Sequence, residues 1–198
     1  MSRRARVLAG SILVVFAIGS LIYLAKPTST VIGESVEGRP IHCHQFGHGK
    51  GGILYIASIH GSEGAGTPLL QALITQLETQ RQLYRDQAIL VVPIANPDGL
   101  AIKQRLNTHG VDLNRNFPAT NRRSEARFGS ASLSEPESRA LHDLIEREQP
   151  RLIVSLHQPI ACVDYDGPSE AEALAQRMAA ACGLPVKKLG SRPGSLGA

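Results

Sequence analysis

The chain has 198 residues, 42% of them hydrophobic, which is enough for one domain with its own core and excludes a disordered chain. Its formal net charge of +4 sits at one end: residues 1–26 carry Arg3, Arg4, Arg6 and Lys26 and no acid, and taking those four from 21 basic residues leaves 17 against 17 acidic ones. A neutral body gives a nucleic-acid partner no electrostatic support.

In chain order, Arg3, Arg4 and Arg6 precede 19 uncharged residues, Val7 to Ala25. As a helix that run is roughly 28 Å long, close to the thickness of a bilayer core. Cleaved signals have shorter apolar runs and a small-x-small cleavage site. Leu24-Ala25-Lys26 is a poor one, so the reading favours a signal anchor over a cleaved signal peptide. Arginines that stay cytoplasmic send the body across the membrane.

Residues 27–38 read as a polar linker, and the domain is expected over 39–198. Pro40–Phe46 and Gly52–Ser58 read as strands and Thr67–Gln80 as a helix, with Leu69, Leu70, Leu73, Ile74 and Leu77 at helical spacing. Ala88–Pro93 is a further apolar strand. Asn96 to Leu133 is polar and aperiodic, a long loop of the kind that carries function. Ser134-Glu135-Pro136-Glu137 has the form of a capping box, Ser134 as N-cap and Glu137 as its partner, opening a helix to about Glu148. Arg151–Leu156 reads as a strand. Ser169–Glu172 repeats the capping pattern for a helix to about Ala181, and Pro185–Leu189 is a last expected strand. Strands alternating with helices imply an α/β domain with a mixed, largely parallel sheet flanked by helices.

Ligands of such sheets sit beyond the C-terminal ends of strands. His60 follows one expected strand and His157 another. His60-Gly61-Ser62-Glu63 sets an imidazole and a carboxylate three residues apart, and His157 would complete a His/Glu/His set suited to Zn²⁺ with one position left for water. Singly, each has a plain structural reading: a surface turn for the first, a hydrogen-bonded histidine for the second. Asn96-Pro97-Asp98-Gly99 is a turn sequence in its own right. Asn114-Arg115-Asn116 can hold a carboxylate by paired hydrogen bonds. His42-Cys43-His44 looks like a metal cluster, but strand alternation sends Cys43 to the opposite face from the two histidines. Cys43, Cys162 and Cys182 offer no Cys-x-x-Cys spacing, and their disulfide state stays open.

In order, His60-x-x-Glu63, Asn96–Gly99, Asp112–Phe117 and His157 resemble the zinc carboxypeptidase family over about Gly52 to the C-terminus. Val111–Pro118, Ser155–Pro159 and Cys162–Pro168 look most like its murein peptide amidase branch. The resemblance implies one Zn²⁺ on His60, Glu63 and His157, with Asp112 orienting His60. It implies Asn114 and Arg115 on the substrate's free carboxylate and Arg105 on the oxyanion. The implied reaction is hydrolysis of a peptide or amide bond by zinc-activated water, with the γ-D-glutamyl–diaminopimelate bond of murein peptides as target. The implied location is the periplasmic face of the inner membrane, or the periplasm if the signal is cleaved. The family's general-base glutamate is not found. Only Glu170 and Glu172 follow His157, and both sit in a capping pattern. The expectation is therefore a chain truncated after Gly194-Ser195-Leu196-Gly197 that binds zinc but hydrolyses poorly. Two alternatives stay open: an N-acyl amino acid deacylase of the aspartoacylase/succinylglutamate desuccinylase type, and a non-catalytic zinc-dependent binder of cell-wall peptides.

Overall fold

Successive side chains of a strand point to opposite faces, and here both faces are covered. β3 (Ile53–Ala57) and β4 (Ile89–Val92) lie at the centre of the sheet. On one face Leu54, Ile56, Leu90 and Val92 join Ile41 and Cys43, covered by Ala140, Leu141 and Leu144. On the other, Ala57, Ile89 and Val91 join Phe46, Leu70, Ile74 and Leu77. Each fully buried leucine contributes about 1.5–3 kcal/mol of transfer free energy, which is what holds the three layers together. The computed structural model describes residues 27–197, so the expected signal helix lies outside the described residues.

Among the described residues the sheet has five strands in the order β1-β2-β4-β3-β5, with β1 at Thr28–Glu34, β2 at Pro40–Phe46 and β5 at Leu152–Leu156. β3 runs parallel to both β4 and β5, whereas β1–β2 and β2–β4 are antiparallel. The sheet is thus evenly mixed rather than largely parallel, because the β1–β2 hairpin joins it from the antiparallel side. The hairpin also corrects the expected linker. Residues 28–34 form an edge strand whose outward positions are exposed, so its sequence lacks the apolar signal of a core strand. Gly33 lets it lie against a helix: a Cβ there would fall 2.6 Å from Ala140 Cβ.

α1 (Gly66–Thr79) covers one face of the sheet, and α3 (Pro136–Glu148) the other. A short α2 (Pro97–Ala101) interrupts the expected long loop. α4 (Ser169–Cys182) buries Ala175 and Ala179. Neither expected capping box forms. α3 is preceded by Glu135 and α4 by Pro168, each without a side-chain cap. Ser134 Oγ instead accepts from Asn116 Nδ2 at 3.0 Å, and Glu137 is fully buried, accepting from Val36 N and Asn107 Nδ2 at 3.2 Å each. Interior partners have claimed both side chains. Pro185–Leu189 makes no strand, only an isolated parallel bridge between Val163 and Val186. No helix among the described residues is long and apolar enough to cross a membrane.

Candidate metal centre

Three loops meet beyond the ends of β3, β4 and β5. The chain leaves β3 through Ser58, whose φ of 51° turns it out of the strand. Ser58 Oγ lies 2.8 Å from Thr67 Oγ1, which donates to Pro93 O at 3.0 Å. Ala95 N and Asn96 N donate to Ala57 O and Ser58 O at 3.0 and 2.9 Å. The exits of β3 and β4 are therefore tied into one rim. Gly61 then passes against the next loop: a Cβ would lie 2.0 Å from Gly99 C and 2.4 Å from Gln104 O, and Gly61 N donates to Arg105 O at 3.3 Å. This close approach is the reason for glycine at 61; at Gly99 a Cβ would instead fall 2.6 Å from Asn96 Nδ2 and 2.7 Å from Leu106 O. It also gives Asn96–Gly99 a structural purpose. Asn96 Oδ1 caps α2 by accepting from Gly99 N at 2.9 Å, and buried Asp98 holds the β1–β2 turn through Ser35 Oγ at 2.7 Å, Glu37 N at 2.9 Å and Arg39 Nη1.

The rim brings His60, Glu63 and His157 together with one ligand atom from each inside a 4.8 Å span. His60 Nδ1 lies 3.0 Å from Glu63 Oε1, and His157 Nδ1 lies 2.9 Å from Glu63 Oε2. Yet His60 Nδ1, buried, has no hydrogen-bond partner. A buried nitrogen without a partner is costly, unless its lone pair serves a ligand. Two atoms each about 2.0–2.2 Å from one tetrahedral ion lie roughly 3.3–3.6 Å apart, so the spacing needs only a small relaxation. The donor set, two imidazoles and a carboxylate, suits zinc.

The far side of each imidazole is held. His60 Nε2 lies 3.0 Å from Asp112 Oδ1, which places a proton on Nε2 and leaves the Nδ1 lone pair free. Arg105 Nη2 also lies 2.9 Å from Nε2. A guanidinium only donates, so it would ask Nε2 to accept, whereas the carboxylate asks it to donate. Arg105 has Glu63 and Asp112 as its own acceptors, and the tautomer that leaves Nδ1 free is the one Asp112 selects. His157 Nε2 lies 3.2 Å from Ser155 Oγ, a contact absent from the sequence reading. Its signal was the i, i+2 spacing that puts both side chains on one side of an extended segment. Gln158 was missed too: its N–H donates to Glu63 Oε2 at 3.1 Å, while its Oε1 accepts from Ala65 N at 3.0 Å.

Arg105 Nη1 donates to Glu63 Oε1 at 2.8 Å and Nε to Asp112 Oδ2 at 3.2 Å. Burial opposes ionisation of Glu63, but His157 and His60 outweigh it and hold the carboxyl well below the usual range. For Asp112 the same opposition of burial is overcome mainly by His60. Both carboxylates are therefore ionised near neutrality, as ligand and orienting group require.

Asn114 and Arg115 lie in a turn that Asp112 caps, its Oδ1 accepting from Asn114 N at 3.0 Å. Asn114 Oδ1 accepts from Leu196 N at 3.0 Å, so its amide N–H₂ is the half left for a ligand. Asn116, the third member, faces inward and donates to Phe128 O and Ala131 O at 2.9 Å each, which makes it structural. Glu170 and Glu172 stand in the first turn of α4. The three cysteines are free, and none is among the three candidate ligands.

A family model described as zinc carboxypeptidase matches residues 26–169. Murein peptide amidase A of Escherichia coli strain K12 is 38% identical over 162 residues, which cover 73% of this chain and 64% of that protein. The chain thus spans less than two thirds of that relative's length. A γ-D-glutamyl-L-diamino acid endopeptidase of Lysinibacillus sphaericus is 29% identical over 176 residues, covering 65% of this chain and 44% of the relative. Among solved structures, the murein-tripeptide amidase of Escherichia coli O157 superposes with a TM-score of 0.71 at 31% identity, over 88% of this chain and 78% of that one.

Proposed function

The chain belongs to the zinc carboxypeptidase family, and from that premise we propose that it binds one zinc ion on His60, Glu63 and His157 and hydrolyses a peptide or amide bond of murein peptides. The observation that carries the reading is the convergence of three ligand atoms within 4.8 Å around a buried imidazole nitrogen that has no other partner. The bond is that between γ-D-glutamate and diaminopimelate, a reading supported by the likeness to a murein peptide amidase and to an endopeptidase of γ-D-glutamyl-L-diamino acids.

Zinc bound there supplies an acidified water and a Lewis acid for the scissile carbonyl. Asp112 keeps the proton on His60 Nε2, so that Nδ1 presents its lone pair. Ser155 does the same for His157. Asn114 and Arg115 take the substrate's free carboxylate, which would bring the scissile carbonyl to the rim that carries His60, Glu63 and His157. Arg105 donates from the rim, where its guanidinium can meet the oxyanion as charge develops. Among the described residues after His157 the only glutamates are Glu170 and Glu172, both in the first turn of α4. The N-terminal charge pattern supports a domain facing the periplasm, held by the apolar segment before it.

The test is incubation of the zinc-loaded full chain with L-Ala-γ-D-Glu-meso-diaminopimelate. Slow release of diaminopimelate that stops on chelation is expected. Tripeptide binding without release would turn the reading into that of a binder, and hydrolysis of N-acyl amino acids instead would overturn the substrate.

A further inference from the structure

The segment 192–197 lies directly on the turn that carries Asn114 and Arg115. Phe117 N donates to Gly194 O at 3.1 Å, Gly194 N donates to Asn121 Oδ1 at 3.1 Å, and Leu196 N donates to Asn114 Oδ1 at 3.0 Å. Gly194, at φ 68°, presses so close that a Cβ would fall 2.5 Å from Arg115 O. Arg192 enters this segment two residues earlier, and its carbonyl accepts from Ser195 N at 3.0 Å.

Arg115 is therefore crowded by positive charge. Burial first, and then Arg105, Arg192 and Arg127, push its guanidinium below the ordinary value, against the pull of Asp112. Two of the three neighbours are already engaged. Arg105 is held by Glu63 and Asp112. Arg127 pairs with Glu125 at 3.3 Å and lies 5.4 Å over the Phe128 ring. Arg192 is exposed and has no carboxylate partner among the described residues. One carboxylate on Asn114 and Arg115 leaves that second guanidinium unanswered.

We infer that Arg192 is a specificity residue that binds a second carboxylate, on the side chain of the same terminal residue whose α-carboxylate Asn114 and Arg115 hold. The inference rests on the proposed carboxylate role of that pair. The ligand class is an amino acid or peptide terminus with two carboxylates. A guanidinium matches a carboxylate with two parallel N–H donors, so losing one such contact weakens binding about tenfold or more.

The experiment is a ligand-observed NMR titration of the zinc-loaded full chain with meso-diaminopimelate and with L-lysine. Neither can be hydrolysed, and diaminopimelate carries the carboxylate that lysine lacks. The unmodified chain is expected to prefer diaminopimelate at least tenfold. Arg192→Gln is expected to cut that preference to within about threefold and leave lysine affinity unchanged, while Arg192→Lys keeps part of it. Equal affinities in the unmodified chain, a preference that survives Arg192→Gln, or a variant that loses both ligands alike would each overturn the assignment to Arg192. Failure of both amino acids to bind the unmodified chain would overturn the role of Asn114 and Arg115, and this inference with it.

Discussion

Replacing Asp112 by Asn removes a charge and keeps the shape, so its effect can be worked out from the contacts. Oδ1 meets His60 Nε2 at 3.0 Å and Asn114 N at 3.0 Å, and Oδ2 accepts from Arg105 Nε at 3.2 Å. If the amide oxygen keeps the Oδ1 place, Nδ2 confronts Arg105 Nε, donor against donor. If the amide flips, it donates to Nε2, drives the imidazole proton to Nδ1 and blocks the ligand atom. A hydrogen bond to a charged group is worth about 1.5–3 kcal/mol. At 1.4 kcal/mol per decade, zinc affinity should fall about 10- to 100-fold, the range for losing a group that orients a ligand histidine. Ser155→Ala removes a neutral, more exposed bond worth about 0.5–1.5 kcal/mol, hence about a 2- to 10-fold loss. Competition with a chromophoric chelator at neutral pH measures both, and melting of the metal-free variants separates folding from binding. An unchanged zinc affinity in folded Asp112→Asn, or a larger loss in Ser155→Ala, would refute the assignment of Asp112 to His60.

Gly61→Ala should cost about 3 kcal/mol or more and weaken zinc binding together with it, because its Cβ would meet the Gly99 backbone at 2.0 Å; thermal melting and chelator competition read the two losses. Asp98 is opposed by burial but held ionised by Glu37 N, Ser35 and Arg39, so its folded value is depressed. Its contribution is present above the unfolded value of about 3.9 and is lost as pH falls through the folded one. Urea unfolding should therefore show a shallower acid limb for Asp98→Asn, with about 1–3 kcal/mol less stability at neutral pH; parallel acid limbs would count against this. Arg115→Ala should abolish tripeptide binding in a titration while leaving zinc stoichiometry intact.

The central strands and α1 were legible because their residues alternate or repeat at the period of the element they form. His60 and His157 were legible for a related reason: strand ends in an α/β sheet are where ligands gather. β1 was not legible, since an edge strand such as Thr28–Glu34 can satisfy half its backbone in the sheet while showing mostly polar side chains. The cap at Ser134 failed because Asn116, eighteen residues away, outcompetes the first turn of α3 for its hydroxyl. Glu137 followed the same logic, drawn inward by Val36 N and Asn107. Such competition depends on tertiary partners that no local pattern announces. Ser155 and Arg192 belong to this class: their parts depend on what the folded chain sets beside them.

X-ray absorption at the zinc edge of the loaded full chain tests the central claim most directly. The account predicts one ion per chain with nitrogen and oxygen ligands only, at about 2.0–2.2 Å, two of them imidazoles, and loss of the signal in His60→Ala. Sulfur scattering at about 2.3 Å from Cys43, Cys162 or Cys182, or full zinc occupancy in His60→Ala, would contradict it.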